Sequence, residues 1–488
     1  MAKQIRINAF VTFAPSHLSP GLWAHPRDRS LEYNTLEFWT ELARIAERGR
    51  YDAVFWADGI SAYDVYGGSH DAGIRGALQF PRLDPLLLVS AMAQVTEHLG
   101  FAVTSSITYE TPYLFARRMS TLDHLTRGRV GWNIVTSFGD SGSKALGLGA
   151  AKPHDQRYDI ADEYLDVVYK LWEGSWEEGA VLRDRATQTF ARPDKVHVVR
   201  HEGPHYQMEG VHFSEPSLQR TPVLYQAGAS CRGKDFAARH AECVFVSAPS
   251  QNVLRETVAD TRLRAREQGR DPGSLLFFAL ATVIVGRTEV EAQAKLADYR
   301  RYISPEGALA LFSRWTGIDL AGRDPNEVLQ YQPNEGMQST LDGFTRADPQ
   351  RTWTLAEVAE HNALGGKGPV FVGTPEQIAD AMQDWVEQTD IDGFNLSYVL
   401  LPESHADFVD LVVPELQRRG VYKNEYATGT LREKLYGKGH ARLSSDHPAA
   451  SFRTLTPTPT PTPTQHPHPH TDDPTSHATQ AYKPSPTP

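Results

Sequence analysis

The sequence predicts a (β/α)8 barrel. Three observations carry that expectation. Eight short, apolar, β-prone runs recur along about 430 residues, amphipathic stretches of helical period separate them, and no Gly-x-Gly-x-x-Gly turn follows the first run. Strand and helix in strict alternation argue a parallel sheet closed by crossover helices. The missing glycine turn weakens the main alternative, a doubly wound open sheet that binds a dinucleotide.

The elements follow in order. The first run is 5–13 (IRINAFVTF), followed by an amphipathic helix at 35–49 with Gly49 as its stop. The second run, 52–58 (DAVFWAD), leads to a helix at 85–98, with Gly100 placed as the next stop. Runs at 100–107 and 129–137 are each followed by helical pattern, at 112–126 and 155–173. The fifth and sixth runs are 223–230 and 243–248, and a helix at 252–268 follows them. The seventh, 275–286 (LLFFALATVIVG), is the longest. Thr374-Pro375-Glu376-Gln377 supplies an N-cap with Pro in the first turn, opening a helix at 375–389 ahead of the eighth run at 393–400. Two segments exceed the minimal repeat: 176–222, with an extra hairpin expected at 205–213, and 303–370, a polar stretch punctuated by Gly and Pro. Loops of this length commonly shape or cover a site.

Composition narrows the class. Hydrophobic residues are 40 % and charged residues 22 %, the balance of a soluble globular enzyme. No run is apolar and long enough to cross a bilayer, and the start has no signal-peptide pattern. Two cysteines, Cys231 and Cys243, make neither a disulfide framework nor a zinc motif, so a reducing cytoplasm is expected. A net charge of −11 argues against nucleic-acid binding. Residues 1–440 are expected to form one domain. Residues 441–488, where ten of the 32 prolines fall from residue 454 onward among Thr and His, are expected to be a disordered tail, since such a sequence buries too little surface to offset its ordering entropy.

In a barrel of this kind chemistry sits at the C-terminal ends of the strands. Those ends carry Asp58, then Thr104 with two serines, then Asn133, Thr136 and Ser137, then Gln226, Gly228 and Ser230. "QAGASCRGKDF" joins a strand end to a helix through small residues and a hydroxyl. That is the sequence of an anion site at a helix N-terminus, with Arg232 able to add charge, although a plain glycine turn capped by Ser230 fits equally. His154 and Tyr158, four apart on a helix, share a face. In "GRVGWNIVTS" (128–137) alternation sends Asn133 to one side of the strand with Gly131, and Trp132 to the other, against the helices. Phe13, Trp23, Trp56 and Phe245 are the candidate apolar pocket. His17, after the first run, is the candidate for proton handling.

Five stretches in this order, "GLWAHP" (21–26), "FWADG" (55–59), "GRVGWNIVTS", "HDQRYDIADEYL" (154–165) and "QAGASCRGKDFAARHAE" (226–242), resemble the flavin-dependent monooxygenases of the bacterial luciferase superfamily, in the branch of nitrilotriacetate and dibenzothiophene-sulfone monooxygenases. The likeness covers roughly residues 5–435. It implies a luciferase-like TIM barrel with insertions. It also implies FMN, used as dissociable FMNH2 with O2, supplied by a separate NAD(P)H-dependent flavin reductase, and oxygen transfer through a C4a-(hydro)peroxyflavin. It assigns the flavin to Asp58, Thr104, Asn133, His154, Tyr158, Gly228 and Ser230, and implies a homodimer or homotetramer. A deazaflavin-dependent oxidoreductase of the same superfamily, or a flavin-binding relative without turnover, are the alternatives. The aromatic candidates favour an apolar or heterocyclic sulfur or nitrogen substrate; Arg314 or Arg346 in the 303–370 segment would suit a carboxylate instead.

Overall fold

In the computed structural model, which describes residues 3–137, 139–248, 250–332, 336–346 and 351–454, eight parallel strands close a barrel. They are β1 (Arg6–Thr12), β2 (Ala53–Ala57), β3 (Gly100–Ser106), β4 (Val130–Val135), β5 (Val223–Gln226), β6 (Cys243–Val246), β7 (Leu276–Val285) and β8 (Gly393–Ser397). Each pairs with its neighbour in sequence, and β8 returns to β1 in the register Asn8↔Asn395. All eight expected runs are barrel strands. β7 is twice the usual length because its first half pairs with β6, while Thr282–Val285 runs on beside a ninth strand, Val370–Gly373.

Helices α1 (Leu36–Arg48), α2 (Leu86–Gln94), α3 (Pro112–Leu125), α4 (His154–Tyr169), α5 (Cys231–His240) and α6 (Gln251–Glu267) cross between strands. Gly49 does end α1, but Gly100 is the first residue of β3: a Cβ there would press on the Asp52 carbonyl at 2.7 Å, so close strand approach, not helix termination, requires it. Strand alternation divides the core in two. Val54, Trp56, Phe101, Val103, Val130, Trp132 and Ile134 pack outward against helices, while Phe10, Phe55, Tyr225, Phe245 and Phe278 fill the barrel. Inside, rings meet edge to face, Phe10 with Phe245 at 4.8 Å and Phe55 with Tyr225 at 5.6 Å, and form an aromatic floor. A Cβ on Gly131 would come 2.7 Å from the Tyr225 ring, which explains glycine at that inward position.

The two insertions hold more structure than their sequences suggested. Within 176–222 there are two hairpins. Gln207–Gly210, from the stretch read as a complete hairpin, pairs with Val199–Glu202 upstream, and Val181–Asp184 pairs with Thr189–Ala191. The 303–370 segment, read as loops, contains three helices: α7 (Pro305–Thr316), α8 (Gln338–Thr345) and α9 (Leu355–Asn362). Phe312, Phe344 and Trp353 pack among them, and their core merges with the barrel interior, so the segment forms a roof over the strand ends. α10 (Pro375–Thr389) begins at Thr374 with the expected cap, completed by Gln377 as a capping box.

The boundary expected near 440 falls later. Leu443 and Ala449 are in the core, His447 is buried, and Arg442 and Arg453 both reach the carboxylate of Glu173, which is itself fully buried. Burial raises the Glu173 carboxyl, but the two guanidiniums more than offset it and hold it below its ordinary value. Residues 441–454 therefore belong to the folded unit; the rest of the expected tail lies outside the described residues. Among those described, no helix is long and apolar enough to cross a membrane.

Candidate active site

A cavity of about 740 Å³ opens at the C-terminal ends of the strands, between the aromatic floor and the roof helices. Its size lies within the range of about 300–1,000 Å³ usual for small-molecule sites. Asp58, Thr104, Asn133, His154, Tyr158, Gly228, Ser230, His17 and Phe245 all line it.

One part of its wall brings together groups that could hold an anion. β5 ends at Gln226, and small residues lead into α5, whose N-cap is Ser230 with its Oγ accepting from the Gly233 N–H at 3.0 Å. His154 Nε2 stands 3.2 Å from the same Oγ, and Asp155 Oδ1 holds the other ring nitrogen at 2.7 Å. Asp155 thus orients the histidine from within the first turn of α4, which begins at His154 itself. A side chain on Gly228 would collide with the Gln226 amide and the Tyr158 hydroxyl, so only glycine lets the chain turn here. Helix N–H groups, a hydroxyl, an imidazole and a phenol converge on one small-residue turn. Arg232 adds no charge: it pairs with Asp159 (3.0 Å) and Asp162 (2.5 Å), outside the cavity. The guanidinium in this part of the wall is that of Arg157, the last residue of "HDQR", which lines the cavity and donates to the Ser137 carbonyl.

A second part presents acceptors. Asn133 Nδ2 donates to Thr104 Oγ1 at 2.7 Å, and that hydroxyl donates to the Trp56 carbonyl at 2.7 Å. Thr104 therefore fixes the Asn133 amide. Asn133 Oδ1 and Gln226 Oε1 are buried at the cavity wall with no partner among the described residues. Buried acceptors are rarely left so, and their presence in a cavity marks a place for a donor-bearing ligand.

Ionisable groups at the barrel mouth are shifted. Burial pushes the Asp58 carboxyl up to about 6, against the opposing pull of Arg82, whose Nη1 lies 3.9 Å away. Burial, and then the charge of Arg82, lower His17 to about 3, so it is a neutral imidazole at pH 7 with Nδ1 unpartnered among the described residues. Such a ring can accept a hydrogen bond but resists taking up a proton, so it cannot serve as a cationic acid.

Three of the four apolar candidates are misplaced. Trp56 faces outward and stacks on Phe101 at 6.2 Å, Phe13 packs edge-on to Trp39 at 5.3 Å, and Trp23 donates to the Gly76 carbonyl at 3.1 Å. Only Phe245 lines the cavity, joined by Phe10 and Phe55, the inward members of their strands. Residue parity along each strand was the signal that separates them. The roof supplies Arg314, Trp315, Phe344 and Lys367; Arg346, the other candidate cation, pairs with Asp342 at the surface and lies outside. Arg82 and Lys367 come from loops with no periodic pattern, so nothing local in the sequence marked them.

Comparison with known proteins agrees with this arrangement. The luciferase-like monooxygenase family profile matches residues 9–392. Over 453 residues the chain is 47 % identical to a dimethyl-sulfide monooxygenase from Hyphomicrobium sulfonivorans, covering 93 % of this chain and 94 % of that one. It is 48 % identical over 458 residues to a long-chain alkane monooxygenase from Geobacillus thermodenitrificans (strain NG80-2), covering 93 % and 99 %. The crystal structure of a riboflavin lyase, solved with modified FMN and riboflavin, superposes with a TM-score of 0.86 at 38 % identity, covering 93 % of this chain and all of that one. With its strand-end cavity, its TIM barrel and these relatives, the chain belongs to the luciferase-like monooxygenase family and is an oxidoreductase that incorporates oxygen.

Proposed function

We propose that the protein is the oxygenase of a two-component system: it takes FMNH2 from a separate NAD(P)H-dependent flavin reductase and inserts one atom of O2 into a small organic substrate. The observation that carries this reading is the pairing, in one cavity, of a built anion cradle at Ser230 with buried, unpartnered acceptors at Asn133 and Gln226. FMN presents a phosphate and a ring with N–H donors, and the two features match those groups. The riboflavin lyase with modified FMN shares this fold over nearly its whole length, which supports the same class of ligand here.

In this reading Ser230, the first N–H groups of α5, His154 and Tyr158 hold the phosphate. Asn133, fixed by Thr104, accepts from the ring. Reduced flavin, when bound, supplies the electrons that activate O2. The chain's own task is to keep water out and to orient the substrate: Phe10, Phe55 and Phe245 form an apolar floor and α7–α9 roof the cavity. Asp58, titrating near 6, can hold a proton at the mouth, and neutral His17 can accept a hydrogen bond there. The chain is proposed to self-associate as a homodimer or homotetramer.

The test is isotope incorporation. Purified protein with FMN, NADH and an unrelated flavin reductase under ¹⁸O₂, offered thioethers and alkanes, is expected to give product with one ¹⁸O atom only when the reductase is present. Equal incorporation without reductase or without FMN would overturn the two-component reading.

A further inference from the structure

Lys367 occupies an unusual setting on the roof side of the cavity. It lies between α9 and the strand Val370–Gly373 and lines the cavity wall. Its Nζ donates to Thr340 Oγ1 at 2.9 Å and sits 5.1 Å from the centre of the Trp315 ring. No carboxylate pairs with it among the described residues, whereas Lys234 in the same wall pairs with Asp260 and Arg82 faces Asp58. On either side of Lys367 in sequence, Gly366 lies close to the Leu18 side chain and Gly368 close to Leu280, and both leucines line the same cavity. Burial with no opposing charge lowers the ammonium to about 8.

A buried ammonium with no carboxylate beside it is unfavourable, and a fold that retains one at a cavity commonly uses it on a ligand. The phosphate of the proposed flavin already has its donors at Ser230. A phosphate would also call for several converging donors, and at Lys367 there is one cation beside one hydroxyl. Two N–H bonds of the ammonium remain for a ligand once Thr340 is satisfied.

We infer that Lys367 receives the carboxylate of a substrate whose remaining body is apolar and lies against Leu18, Phe245, Leu280 and Phe344. This rests on the reading of the cavity as the oxygenation site, and it narrows the substrate class of that site to apolar carboxylic acids.

Calorimetric titration of the full chain with octanoate and with 1-octanol tests it, beside anaerobic titration with FMNH2. Octanoate is expected to bind about tenfold or more tightly than 1-octanol. Lys367→Met should abolish that preference, Lys367→Arg should keep most of it, and both variants should bind FMNH2 within about twofold of the parent. Equal affinity for acid and alcohol overturns the inference, as does a preference that survives in Lys367→Met. A loss of FMNH2 affinity of about tenfold in Lys367→Met also overturns it, because the ammonium then serves the flavin. If Lys367→Met fails to fold, Lys367→Gln takes its place, with the same loss of preference expected and a surviving preference again overturning the inference. A parent protein that prefers octanoate yet binds no FMNH2 would sink the flavin reading and leave this one standing.

Discussion

At the scale of single residues, two side chains do separable work. Ser230 caps α5 and also faces the cavity, so Ser230→Ala is expected to cost about 1 kcal/mol of stability through the lost cap. It should also weaken FMNH2 binding by about 1–2 kcal/mol, the loss of one charge-assisted hydrogen bond. His154→Ala should weaken binding by a similar amount with little effect on stability, because His154 is partly exposed and caps nothing. Thermal unfolding read beside flavin titration separates the two; unchanged binding in both variants would refute the phosphate assignment. Asp58 gives a pH signature. Its folded-state value lies near 6, above the ordinary 3.8, so the native state holds the extra proton between those values and stability falls as pH rises through that window. Asp58→Asn is therefore expected to be more stable than the parent at pH 7.5, on the order of 2 kcal/mol, with the gain vanishing below pH 4. Denaturant melts at both pH values check it, and a pH-independent difference would contradict it. The strand-end residues were legible because polar groups closing apolar runs stand out. Trp56 and Phe13 misled because an aromatic residue reads alike on either face of a strand; only parity against a known inward neighbour such as Phe55 resolves it.

At the scale of elements, the turn from β5 into α5 is the piece the site depends on most. Gly228→Ala would drive a methyl group into the Gln226 amide and the Tyr158 hydroxyl. Overpacking of this kind costs about 1–3 kcal/mol, and it displaces two cavity groups at once. The expected outcome is a folded protein with a lowered Tm and FMNH2 affinity reduced more than in Ser230→Ala; affinity at the parent level would show that the turn is not the cradle. The barrel strands were readable as elements because continuous apolar runs mark strands buried on both faces. The roof helices were not, although their starts carried the same signals that revealed α10. Ser304-Pro305 opens α7 as Thr374-Pro375 opens α10, Thr354 and Glu357 form a capping box at α9, and Gly317 in a left-handed conformation ends α7. The intervening Gly- and Pro-rich turns outweighed those caps in a reading by composition. The hairpin at 199–210 was half visible because its first strand, Val199–Glu202, is mostly polar and its turn is held by a residue midway along α4: Glu163 accepts from the N–H groups of His205 and Tyr206.

At the scale of the whole molecule, barrel, roof and C-terminal segment form one folded unit, and the C-terminal segment is the part whose role composition concealed. Ending the chain at residue 440 removes Arg442 and Arg453 and leaves the Glu173 carboxylate buried without its cationic partners, with only the Thr221 hydroxyl still donating to it among the described residues. Breaking a buried ion pair from one side costs about 3–5 kcal/mol, so that truncation should lower Tm sharply, while ending the chain at Leu455 should leave Tm and activity unchanged. Equal melting of the two truncated chains would show that Glu173 is not held in this way. The overall class was legible because eight strands and their helices repeat. What placed Arg82, Arg314 and Lys367 in one cavity is closure of the barrel and folding of the roof over it, a long-range event with no local trace in the chain. The central claim is that this cavity is a site for reduced flavin. Anaerobic titration of the purified protein with FMNH2 and FMN tests it most directly. One FMNH2 per chain, bound more tightly than FMN and weakened by Ser230→Ala, is the predicted result; equal affinity for the two flavins, or no binding of either, would contradict it.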